Sequence, residues 1–159
     1  MKKIIIIAAA LVVLVGGYLV IKSLGQEATS SDPIKKVIND EGFNIQQGDS
    51  RISGSYVAPE TLDFGIKIYP NSKPTEDQQS AGNFDVNGVK LTAATYLTTD
   101  SRSKVEEYYS NQFGSDAVVG SLVDTNATYK IIKSKTNKGP IVNVWVENEN
   151  TYFTILKTK

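Results

Sequence analysis

The most chemically suggestive run in the chain is Ser101-Arg102-Ser103-Lys104, which matches S-x-x-K, the serine and lysine of penicillin-binding proteins. Lys135-Thr136-Asn137 echoes the K-T-G triplet of the same enzymes, with Asn where Gly belongs. No S-D-N element accompanies them, and 159 residues are too few for that fold. A serine opening a helix, followed by a solvated lysine, accounts for the tetrad without chemistry. Asp85-Val86-Asn87-Gly88 has the opening of a calcium loop, but the further oxygen ligands and the closing bidentate Glu are missing. The same four residues suit a tight turn. Asn126-Ala127-Thr128 is a glycosylation sequon in a chain rich in Asn and Thr, where one match is close to chance.

What the chain lacks narrows the chemistry further. It has no cysteine and no histidine. Disulfides, thiolate nucleophiles and thiolate metal sites are therefore excluded, as are the commonest acid–base group near neutral pH and the commonest transition-metal ligand. A missing cysteine also excludes lipid attachment at a processed N-terminus. Carboxylates remain, and an Asp or Glu from the 60–85 loops would have to serve a small envelope hydrolase. No catalytic, cofactor-binding or metal-ligating residue is assigned, and no cofactor is expected.

Basic and acidic residues balance at 17 each. Beyond the N-terminal segment, however, acidic residues dominate as far as Ala127. From Thr128 onward six lysines face only Glu147 and Glu149. Lys130, Lys133, Lys135 and Lys138, with Lys157 and Lys159, are a candidate patch for an anionic partner: an envelope protein, an acidic polymer or lipid headgroups. Strand alternation puts Lys133 and Lys135 on one face and Lys130 on the other, and lysines of this kind also guard exposed strand edges. The charge is too balanced for a nucleic-acid binder. Tyr108, Tyr109, Tyr129 and Tyr152 could line a groove, and half-buried sheet and helix positions suit the same residues.

The segment that would place this chemistry in the cell is N-terminal. Lys2 and Lys3 precede an uncharged, mainly aliphatic run from Ile4 to Ile21, closed by Lys22. As a helix these residues extend about 27 Å, close to the roughly 30 Å hydrocarbon core of a bilayer. The run exceeds an ordinary signal-peptide core, so residues 1–25 are expected to form a permanent signal anchor. The C-terminal domain then lies outside the cytoplasm of a single-pass membrane protein. Cleavage near Gly25 would instead release a secreted form. Gln26–Ser31 is a polar tether, and residues 32–159 form one extracytoplasmic domain with its core at about 63–159.

The elements within that domain follow from periodicity. Asp32-Pro33 opens a short helix with Ile34, Val37 and Ile38 as its apolar stripe and Gly42 as its stop. From Phe43 to Glu60 the pattern weakens, interrupted by Gly48, Gly54 and Pro59. Phe64, Ile66 and Ile68 alternate with Gly65, Lys67 and Tyr69 as in a half-buried strand, ended by a loop from Pro70 to Pro74. Asn87-Gly88 predicts a type I′ hairpin joining Asn83–Val86 to Val89–Thr98. Ser101 to Phe113 predicts a helix with Val105, Tyr108, Tyr109 and Phe113 on its buried face; Asp100, Ser101 and Ser103 compete for its N-cap. Four short runs then follow, Ala117–Val123, Thr128–Lys133, Ile141–Glu147 and Thr151–Lys157, with connectors too short for crossover helices. They predict an antiparallel β meander packed by one main helix, an α+β fold behind an N-terminal transmembrane helix.

Ile68-Tyr69-Pro70-Asn71-Ser72-Lys73-Pro74, then Thr98-Thr99-Asp100-Ser101 leading into Val105-x-x-Tyr108-Tyr109 and a closing meander, resembles a group of poorly characterised bacterial domains. These are secreted, membrane-anchored or lipoprotein domains with an "IYPGA-x-P" segment followed by "T-x-D-S-x-x-x-V-x-x-(F/Y)-Y". The likeness covers roughly Asp63 to Lys159. It departs where Asn71-Ser72 replaces Gly-Ala. The resemblance implies an envelope location and an α+β fold, and it carries over no site residues. The expectation is a non-catalytic binding module held at the membrane through residues 4–21.

Overall fold

The computed structural model describes residues 35–47, 49–75, 80–124, 127–136 and 139–159. The expected anchor and tether, residues 1–31, lie outside the described residues, as does Lys138. Among the described residues no helix is long and apolar enough to cross a membrane.

Strands β1 (Lys35–Asn39), β2 (Gly42–Gln47), β3 (Ser50–Tyr56), β4 (Lys73–Pro74), β5 (Ala81–Val86) and β6 (Val89–Thr98) precede helix α1 (Arg102–Phe113). After the helix come β7 (Ala117–Asp124), β8 (Ala127–Ser134), β9 (Ile141–Glu147) and β10 (Asn150–Thr158). They form one sheet in the order β1-β2-β3-β5-β6-β10-β9-β8-β7, with the two-residue β4 pairing β6. Every pairing is antiparallel, which with the helix makes the fold α+β, as the short connectors require. The C-terminal meander closes on the N-terminal strands through β10, which runs against β6 from Thr151↔Thr98 to Thr158↔Leu91.

The turns obey local chemistry. Asn87 and Gly88 both have positive φ, 51° and 87°, as the type I′ turn requires, and they pair Val86 with Val89. Asn87 also ties the hairpin to β3: its Oδ1 accepts the Arg51 amide at 2.7 Å and its own amide donates to the Arg51 carbonyl. Asn71 has φ 60°, directly after Pro70, and the Ser72 hydroxyl donates to the Tyr69 carbonyl. Among non-glycine residues Asn is one of those that best tolerate this left-handed region.

Three expectations are corrected. Residues 35–39 are the strand β1 and not a helix; their partner is β2, from Lys35↔Gln46 to Asn39↔Gly42. The Asn39 side chain accepts the amides of Glu41 and Gly42, so the residues leading to Gly42, the expected helix stop, instead make a hairpin turn. Val37, placed on the expected apolar stripe, is 64% exposed. The weakly patterned stretch after Phe43 holds two strands, β2 and β3. Conversely, residues 64–68 have the burial alternation of a strand but join no ladder. Phe64 is buried, Ile66 and Ile68 are half-buried, and Gly65 and Lys67 are exposed.

That segment is instead clamped by the helix. The Gln112 side chain accepts the Lys67 amide at 2.8 Å and donates to the Lys67 carbonyl at 2.9 Å, as a neighbouring strand would. The Tyr108 hydroxyl donates to the Ile68 carbonyl, and the Tyr109 hydroxyl accepts the Tyr69 amide. Helix side chains thus satisfy backbone groups that would otherwise need a ladder.

The main core lies between this layer and the sheet. Alternation along β6, β10, β9 and β8 presents Ala94 and Tyr96, Phe153 and Ile155, Val142 and Val144, and Ile132 to α1 and the 62–69 segment. Val105 and Tyr109 of α1 are buried among them, while Tyr108 and Phe113 are half-buried, Phe113 less covered than its place on the apolar stripe predicts. Each fully buried Val or Phe side chain contributes about 1.5–3 kcal/mol. The other face carries a second cluster: Phe84, Val86, Leu91, Ala93 and Leu156, with Phe43 and Ile52 against it.

Candidate functional site

At the start of α1 the backbone of Ser101 is extended, and its side chain makes no cap hydrogen bond. The neighbouring Asp100 organises the region. Its Oδ1 accepts from Lys104 Nζ at 2.9 Å, and its Oδ2 from the Tyr69 hydroxyl at 3.0 Å. The Lys104 bond, then the Tyr69 bond, hold the Asp100 carboxyl below its usual range. In return Asp100 holds the Lys104 ammonium above its ordinary value, and Lys104 is 65% exposed. A lysine poised to take a proton from Ser101 needs the opposite shift. The S-x-x-K run is a helix start whose lysine is committed to Asp100. The Asp85 carboxylate is likewise spent on the Gly88 amide at 2.8 Å, inside the hairpin turn.

The lysine cluster divides as strand alternation requires. Lys130 pairs with Val144 on the helix side of the sheet, and its Nζ donates to Ser121 Oγ at 2.9 Å. Lys133 is half-buried on the opposite side of β8. Lys135 is exposed in the turn after β8, where its ammonium donates to the Ser115 carbonyl and its amide to Asp116. These three share one strand and its end without converging on one point. The tyrosines also separate: Tyr108 and Tyr109 pack edge to face within the core, while Tyr129 and Tyr152 flank Trp145 at 6.0 and 5.6 Å on the other face.

A concave polar site lies elsewhere. Along β3, β5 and β6, Ser53, Ser55, Asn83, Asp85, Lys90 and Lys159, together with Gly54, Phe84 and Leu91, line a groove of about 320 Å³. Ser53 pairs with Asp85, Ser55 with Asn83 and Asp85 with Lys90, so alternation sends their side chains to one face. Asn83 Oδ1 is the hub, accepting from Lys159 Nζ at 2.8 Å and Thr92 Oγ1 at 2.9 Å. The arrangement mixes donors and acceptors among apolar neighbours that include Phe84 and Leu91. The sequence signal was the spacing Ser53-x-Ser55 and Asn83-x-Asp85, unreadable as one face while 50–56 showed no strand pattern.

Of the remaining carboxylates in the 60–85 region, Glu60 lies in a short 3-10 turn and Asp63 accepts the Gly65 amide, while Glu76 and Asp77 lie outside the described residues. Among the described residues no three acidic side chains gather as a metal site would require. Compared with protein-family models and with curated proteins, the chain finds no match to either.

Proposed function

We propose that the chain is a single-pass membrane protein whose C-terminal domain acts outside the cytoplasm as a non-catalytic binding module for an anionic partner in a bacterial envelope. The observation that carries this reading is charge and hydropathy placement. An uncharged run from Ile4 to Ile21, flanked by lysines, precedes an acidic stretch, and a lysine-rich C-terminal segment follows. Lys130, Lys133, Lys135 and Lys138 form the proposed contact. The resemblance to envelope domains of the "IYPGA-x-P" kind supports the same location.

The test has two arms. In cells, the full chain should stay with membranes through alkaline carbonate washing, whereas a soluble form beginning at Gln26 would replace the anchor with a cleaved signal. In binding assays on isolated envelopes, salt should weaken association, and replacing Lys133, Lys135 and Lys138 together should weaken it similarly. Salt-insensitive binding that the triple change leaves unaffected would remove this surface.

A second reading has one observation in its favour. Asp85 stands in the wall of the only polar groove described above, where a small hydrolase would need a carboxylate. Its bond to Gly88 assigns it to the turn, and Asp85→Asn should leave envelope association unchanged.

A further inference from the structure

Helix α1 packs over β7, β8 and β9. On β1, β3 and β6 the same side of the sheet carries cations. Lys90 alternates along β6 with Ala94 and Tyr96 of the main core, which places it on the helix side. Its partner Asp85 pairs in turn with Ser53, and Arg51 alternates with Ser53 along β3. Lys35 pairs with Gln46, and Gln46 with Arg51. Lys35, Arg51 and Lys90 therefore share one face. Lys159 joins them, its amide on the Lys90 carbonyl and its ammonium on Asn83.

Two features set this patch apart from scattered surface charge. Among the described residues, the side chains of Lys35, Arg51, Lys90, Ser53 and Ser55 make no hydrogen bond or ion pair, so their donors are open to a ligand. Asp85, the carboxylate among them, is held by the Gly88 amide, and Asp49 lies in the adjoining β2–β3 turn. The second feature is a gradient along the strands. Lys35, Arg51 and Lys90 stand at or next to the first residues of β1, β3 and β6, and Lys159 follows the end of β10. At the opposite ends, Asp40 and Glu41 make the β1–β2 turn, and Glu147 and Glu149 lie at the β9–β10 turn.

The chain that leads into β1 points to the occupant. Residues 22–34 separate the Ile4–Ile21 run from Lys35 and reach at most about 45 Å fully extended. A bilayer holding that run is within reach of the basic end of the sheet. We propose that this face docks on the anionic phospholipid headgroups of the membrane in which residues 4–21 are anchored. Phosphate oxygens accept from the Ser53 and Ser55 hydroxyls and the Lys90 ammonium in the groove, and from the Arg51 guanidinium on the same face. Negative lipid attracts the basic end over about a Debye length and leaves the acidic turns facing away. The proposal rests on the anchoring reading above, and it uses none of Lys130, Lys133, Lys135 and Lys138.

The test uses the full chain reconstituted in phosphatidylcholine vesicles, with and without phosphatidylglycerol. The chain has no cysteine, so Asn44→Cys, opposite Ser53, and Asp40→Cys, in the β1–β2 turn, can each carry a single fluorescent label. A nitroxide on the lipid headgroups quenches labels close to the surface. Quenching at position 44 should rise several-fold with phosphatidylglycerol and fall with added salt, while the label at position 40 stays unquenched. Arg51→Gln with Lys90→Gln should return the signal at 44 to its value in neutral vesicles, with an unchanged melting transition. Flotation with neutral vesicles reads the anchor separately. A chain that fails to float with them, yet binds phosphatidylglycerol vesicles in a salt-sensitive way, would lose the anchor and keep the docking face. A chain that floats with both but is quenched equally in both would keep the anchor and overturn the docking. Equal quenching at the two labels, or quenching untouched by the double change, would overturn it as well. A label at 44 that responds to added poly(glycerol phosphate) and not to phosphatidylglycerol would assign the face to a soluble polymer and equally end the proposal.

Discussion

The hydroxyl of Tyr109, buried in the middle of α1, accepts the backbone amide of Tyr69 at 3.0 Å, forty residues earlier in the chain. Tyr69 in turn donates its own hydroxyl to Asp100, just ahead of the helix. The two tyrosines thus fasten an extended segment that has no strand partner. Tyr109→Phe keeps the ring and its packing on Phe153 but leaves a buried amide without an acceptor. We expect a loss of about 1–3 kcal/mol in urea unfolding, with an unchanged denaturant slope. A loss within about 0.3 kcal/mol would mean that water or another group takes over the amide.

Alkaline pH tests the same region. Burial raises the phenols of Tyr69, Tyr96 and Tyr109 above their ordinary value; at Tyr69 the bond to Asp100 adds to this. The folded chain keeps these protons to higher pH than the unfolded chain, whose tyrosines titrate near about pH 10. Above that value the unfolded state binds fewer protons, so stability falls as pH rises; below it the contribution is fully present. Urea midpoints measured from neutral pH to about pH 11 should decline beyond about pH 10, and Tyr109→Phe should flatten the decline. An equally steep decline in that variant would exclude Tyr109 as a contributor.

Gln112→Ala removes both bonds that hold Lys67. The site is exposed, so the cost should be modest, about 0.5–1.5 kcal/mol. The sharper readout is local: amide exchange at residues 66–69 should quicken while the β9 and β10 amides keep their protection. Uniform quickening through the sheet would assign Gln112 to global stability instead.

Gly54 and Gly82 lie beneath the ring of Phe84. A Cβ on Gly54 would meet only side chains, Phe84 Cδ1 at 2.4 Å and Phe43 Cε1 at 3.0 Å among them, whereas one on Gly82 would also meet the Ser55 carbonyl oxygen at 2.5 Å. Both Gly→Ala changes should destabilise by about 1–3 kcal/mol. Adding Phe84→Leu should recover part of the loss for Gly54→Ala, because the obstacle there is a ring that can be shortened. It should recover little for Gly82→Ala, where backbone stands in the way. Equal recovery in the two double variants would contradict the packing described.

Much of the fold was legible in the chain because short-range chemistry decides it. Asn87-Gly88 accepts positive φ at two successive positions, so the β5–β6 hairpin follows from the dipeptide. Val105, Tyr108 and Tyr109 recur at helical spacing, and the brief polar connectors after Ala117 leave only antiparallel neighbours. The lysines could also be divided between faces in advance, since alternation fixes the side of Lys130 relative to Lys133.

The tertiary structure decided what depends on partners distant in sequence. Residues 35–39 became a strand because β2 offers a ladder, and residues 64–68 did not, because Gln112, Tyr108 and Tyr109 satisfy their backbone first. Gly54 reads as a break in a strand pattern until Phe84 is seen lying over it. The polar groove required β3 beside β5 before Ser53, Ser55, Asn83 and Asp85 could share a face. Periodicity reports which side of a segment is apolar. It does not report which distant donor or acceptor will satisfy the backbone, and that competition for hydrogen bonds settles whether an extended segment joins the sheet.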